Sequence, residues 1–85
     1  MAYFVKVIPP SKRARIHAGD CTFCRDGQGM ENQDKGTGPT YWKPAHPEPG
    51  FPTVAEAVAF MAALPARYTD TGYCDDCQKR GALNA

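Results

Sequence analysis

Tyr3 to Ile8 is aromatic or β-branched at every position but Lys6, and predicts a strand. Pro9-Pro10 ends it, because proline has no N–H to give to a ladder. From Lys12 to Ala18 the pattern alternates. Ala14, Ile16 and Ala18 fall on one face and Arg13, Arg15 and His17 on the other, so a second short, half-buried strand is expected. Thr40 to Lys43 predicts a third. The intervening stretch, about 25–38, sets Gly27, Gly29, Gly36 and Gly38 among polar residues and reads as a mobile loop. A second loop spans about 43–52, where Pro44, Pro47, Pro49 and Pro52 favour extended chain over helix.

The clearest helix runs over 53–64. Thr53-Val-Ala-Glu56 is a capping box, in which the threonine hydroxyl accepts from the Glu56 N–H and the glutamate reaches back. Alanine, the best helix former, dominates the run, and Pro65 closes it. At 100° per residue, Val54, Val58, Phe60, Met61 and Leu64 form the stripe expected to face a core. The opposite arc holds Ala55, Glu56, Ala59, Ala62 and Ala63. It reads as a plain alanine-rich surface or as a face for a partner. The aspartates of Cys74-Asp-Asp-Cys77 suit a helix start, so a short C-terminal helix is expected there.

These elements predict one small α+β domain over residues 1–85, with two or three short antiparallel strands packed on one main helix. Length limits its core: a chain of 85 residues buries only about 60–65% of its unfolded surface. Gly and Pro together occupy 16 positions, which thins the regular structure further and calls for another source of stability. The net charge of +1 excludes a strongly cationic nucleic-acid binder, but its distribution is uneven. Residues 1–25 carry Lys6, Lys12, Arg13, Arg15 and Arg25 against Asp20, whereas residues 26–85 carry five basic and eight acidic side chains. No run approaches the roughly 18–20 apolar residues of a membrane span. The apolar stretch at Phe4–Ile8 is too short for a secretory leader. A cytoplasmic setting is therefore expected, where paired cysteines serve metals or redox chemistry more often than disulfides.

Cys21-Thr-Phe-Cys24 and Cys74-Asp-Asp-Cys77 are two C-x2-C pairs separated by 49 residues, and they use every cysteine in the chain. Two such turns present four thiolates, the tetrahedral set that one structural Zn²⁺ accepts. Four thiolates also accept iron, and the same residues serve two disulfides or a redox pair. The expected ion would clamp distant parts of the chain, with no position left open for catalysis. His17, four residues before Cys21, is redundant as a fifth ligand. It reads either as a donor to a thiolate or as a surface histidine.

The two pairs resemble the knuckles of zinc-ribbon and treble-clef domains. The wider order is His17-x3-Cys21-x2-Cys24-x2-Gly27-x-Gly29, then a Thr-capped helix, then a terminal C-x2-C. It is similar to small bacterial or phage-borne zinc-binding proteins. That resemblance implies a structural zinc and no particular activity. The repeated C-x2-C-x-G-x-G units of the DnaJ zinc domain do not fit, since there is one unit here and its glycines are displaced by one residue.

His46-Pro47-Glu48 followed by Cys74-x2-Cys77 spells the H-x-E … C-x-x-C of zinc nucleobase deaminases. His46 lies in a proline-rich stretch, however, and Tyr73 stands where that family has proline, so no enzyme is expected. The expected role is a binding module, with protein–protein interaction through the Ala55/Ala59/Ala62/Ala63 face favoured. The alternative is weak, largely sequence-independent nucleic-acid binding through Lys12, Arg13, Arg15 and Arg25, with Tyr41 and Trp42 available to stack on bases.

Overall fold

The computed structural model describes residues 2–21, 24–27, 40–44 and 48–83. Four strands and two helices follow in the order β1 (Tyr3–Ile8), β2 (Arg13–Ala18), β3 (Tyr41–Lys43), α1 (Val54–Ala62), β4 (Asp70–Tyr73) and α2 (Asp75–Lys79). The strands make one mixed sheet in the order β3-β1-β2-β4. β1 pairs antiparallel with both β2 and β3, and β4 lies parallel to β2.

This is the expected α+β class, with one correction to the sheet. A fourth strand is present, and its pairing is parallel. Asp-Thr-Gly-Tyr has weak strand character, and β4 is held instead by its neighbour. Arg13 and Arg15 both bind Asp70, at 3.0 and 2.7 Å, while the Cys74 N–H donates to the Ile16 carbonyl at 2.8 Å.

Pro9–Ser11 forms one turn of 3-10 helix between β1 and β2, and Lys12 completes it in the left-handed region at φ 55°. The β1–β2 register then sorts the side chains. Tyr3, Val5 and Val7 face the same way as Ala18, Ile16 and Ala14, while Phe4 and Lys6 share the other face with His17 and Arg15. Trp42 joins this second face opposite Lys6. The first face is covered by α1, as the contact between Phe60 and Phe51, 5.5 Å between ring centroids, makes plain, because Phe51 pairs with Tyr3 at the sheet's edge.

Thr53 caps α1 as expected, accepting from the Glu56 N–H at 3.1 Å. The buried stripe is narrower than the periodicity implied. Val54 and Ala57 are buried, and Val58, Phe60, Met61 and Leu64 are only partly covered. A helix seated on Ala57 approaches the sheet closely along one line, which leaves the larger side chains at its flanks. Ala55, Ala59, Ala62 and Ala63 are exposed. The expected C-terminal helix is α2, which begins directly after Cys74.

Of the two loops expected to be mobile, residues 28–39 and 45–47, His46 among them, lie outside the described residues. No helix among the described residues is long and apolar enough to cross a membrane.

Candidate metal centre

Parallel pairing sends the C-terminal ends of β2 and β4 in the same direction. One step beyond the Ile16–Tyr73 pair come His17 on one strand and Cys74 on the other. β2 ends at Ala18, and a turn held by Cys21 N–H to Ala18 carbonyl at 3.0 Å returns Cys21 to the same place. α2 supplies Cys77, whose sulfur accepts from the Ala18 N–H at 3.4 Å.

The outcome is a buried cluster of His17, Cys21, Cys74 and Cys77, with one donor atom of each lying within 4.8 Å of all the others. Three of the four cysteines expected as ligands are thus brought together, and His17 stands with them. Cys24 is fully buried but is not a member of that group of four. All four cysteines are free thiols.

The four donors are of the types that could hold a small tetrahedral cation. Bonds of about 2.3 Å to sulfur and about 2.0 Å to nitrogen imply donor–donor edges of roughly 3.5–3.8 Å. Cys21 Sγ and His17 Nδ1 are 3.7 Å apart. Burial, helped by the nearby positive charges of Lys6 and Arg15, lowers the His17 pKa to about 4, so the imidazole is neutral at pH 7 and its lone pair is available. The indole of Trp42 meets the His17 ring edge-on at 4.9 Å and fixes its plane. Burial raises the Cys74 pKa, against the N–H groups of Cys77 and Asp76 directed at its sulfur. Burial also pushes the Cys24 thiol up to about 11, although Gly27 and Asp26 direct N–H groups at it. Metal binding must displace protons from such thiols, and a divalent cation does so.

The residues singled out for nucleic acid are arranged differently. Lys12 and Arg13 lie at the start of β2 and Arg25 beyond its far end, separated by roughly 17 Å of strand. Arg13 and Arg15 are both committed to Asp70. Trp42 is buried, while Tyr41 is 40% exposed.

Two further residues at the centre, Arg80 and Asp20, were not among those expected there. Arg80 donates to Asp20 at 3.2 Å and to Cys77 Sγ at 3.7 Å. Arg80 is the C-cap of α2, three residues after Cys77, and that spacing was the available cue. Comparison with protein-family models, curated proteins and solved structures found no match to this chain.

Proposed function

We propose that this chain is a metal-stabilised binding module in which Cys21, Cys74, Cys77 and His17 hold one structural Zn²⁺, and that it acts by docking a protein partner without catalysis. The observation that carries the reading is the mutual approach of three cysteine sulfurs and one imidazole nitrogen within 4.8 Å, all buried. Thiolate and neutral imidazole are the donors Zn²⁺ prefers, and four of them leave no coordination position for a substrate. Cys24 becomes a buried thiol beside the centre instead of the fourth ligand.

Partner docking is supported by the exposed alanine face of α1, at Ala55, Ala59, Ala62 and Ala63. The commitment of Arg13 and Arg15 to Asp70 argues against phosphate binding at that edge. Purified protein should contain one zinc per chain by elemental analysis. Cys74→Ser and Cys77→Ser should abolish binding, whereas Cys24→Ser should retain one ion. Loss of zinc in Cys24→Ser with retention in His17→Asn would instead make the site a four-cysteine one. An absence of metal from the wild type would overturn the proposal.

A further inference from the structure

We infer that Arg80 is a positioning residue of the metal centre, whose guanidinium, anchored by Asp20, balances the charge of the Cys77 thiolate. The inference rests on the zinc reading above. A divalent cation with three thiolates and a neutral imidazole carries a net charge of about −1. Hydrogen bonds and positive charge directed at the sulfurs stabilise such a charge in a buried site.

Arg80 supplies one such charged donor, which it shares with Asp20 from a partly exposed side chain. One of its terminal nitrogens lies 3.7 Å from Cys77 Sγ and 3.2 Å from Asp20 Oδ1. Asp20 immediately precedes Cys21, and Cys77 lies on α2. One guanidinium therefore links the two chain segments that supply the cysteines. Cys77 is fully buried, and its sulfur also accepts from the Ala18 N–H. It thus has a neutral donor on one side and a charged donor on the other, and charge-assisted hydrogen bonds are the stronger kind.

A cleft of about 360 Å³, lined by Asp20, Cys21, Asp76, Lys79 and Arg80, opens beside the centre. Lys79 shares this cleft, but among the described contacts it donates to no sulfur. It is therefore the natural control: removing it deletes the same charge from the same place without touching a thiolate.

The test substitutes Co²⁺ for zinc in the full chain and records the thiolate-to-cobalt charge-transfer absorption. A hydrogen bond lowers the energy of the sulfur lone pair. Its loss in Arg80→Gln should shift the band to longer wavelength, and Arg80→Lys should restore part of the shift. Lys79→Gln should leave the band in place. In competition with a chromophoric chelator, zinc affinity should fall about tenfold or more in Arg80→Gln and less than about twofold in Lys79→Gln. If Arg80→Gln does not fold, Arg80→Lys supplies the readout, with a smaller shift in the same direction. A wild-type band that neither Arg80 variant moves overturns this inference alone. A wild type with no cobalt–thiolate band overturns the metal reading and the inference with it.

Discussion

Gly50 has no room for a side chain. A Cβ there would lie 2.7 Å from the Tyr3 carbonyl oxygen and 2.8 Å from the Phe4 ring. The backbone is held by the Tyr3–Phe51 hydrogen bonds, and Phe4 is only 2% exposed, so neither neighbour yields readily. Gly50→Ala should therefore cost about 1–3 kcal/mol, the usual range for overpacking. At Gly72 a Cβ meets nothing within 4 Å, so Gly72→Ala should change stability by less than about 1 kcal/mol. Urea melts of the two variants check the contrast, and equal losses would contradict this packing. The single residues that matter most differ in how legible they were. The cysteines announce themselves by spacing. His17 could be assigned to a strand face by alternation, but its arrival beside Cys74 depends on the parallel register of β2 and β4. No local pattern encodes that register.

Elements were legible where a local rule dominates. Tyr3–Ile8 and the Thr53-capped helix follow from β propensity and capping. β4 was not legible, because its four residues pack through Arg13, Arg15 and Ile16, which lie more than fifty positions earlier. α1 offers a test of its own. Thr53→Ala removes the hydroxyl that accepts from Glu56 and should cost about 0.5–2 kcal/mol. Phe60 is partly covered and packs on Phe51, so Phe60→Ala should cost more than the cap but less than the roughly 3–5 kcal/mol of an enclosed phenylalanine. Ala57→Leu should also exceed the cap variant, since Ala57 is fully buried against the sheet. Thermal denaturation ranks all three, and a harmless Ala57→Leu would show that α1 stands away from the strands.

The β2–β4 seam should give a pH signature. Hydrogen bonds from Arg15 and then Arg13 hold the Asp70 carboxyl below its ordinary value of 3.8. Its pKa is thus lower folded than unfolded. The stabilisation is present above pH 3.8 and is lost as acid protonates the folded carboxyl. Denaturant midpoints of the wild type should therefore fall more steeply below about pH 4 than those of Asp70→Asn. Parallel curves would mean that the two arginines contribute nothing to acid stability.

At the scale of the whole molecule, the sheet is small and two of its four strands have four residues or fewer. A structural zinc contributes an apparent ~10–16 kcal/mol, against a net stability of only about 5 kcal/mol for a small domain. Treatment with a strong chelator should therefore abolish cooperative melting, as followed by circular dichroism, and returning Zn²⁺ should restore it. Cooperative melting that persists in protein shown to be metal-free would mean that the sheet and α1 suffice. The sequence alone raises the expectation of a stabiliser beyond the core, because 16 glycines and prolines leave little chain for one. The composition of the cluster was not legible, since it depends on how close His17 and Cys24 each come in space.

The parallel pairing of β2 with β4 also bears on the speed of folding. Arg13 must find Asp70 across 57 positions of sequence, about two thirds of the 85-residue chain, and that whole segment has to be gathered first. Closure of so long a loop lowers entropy before any contact compensates, and such topologies fold slowly. A cation that Cys74 and Cys77 capture early, and that then recruits Cys21, would close almost the same loop from the other side. An ion bound as proposed would then act as a tether that shortens the search.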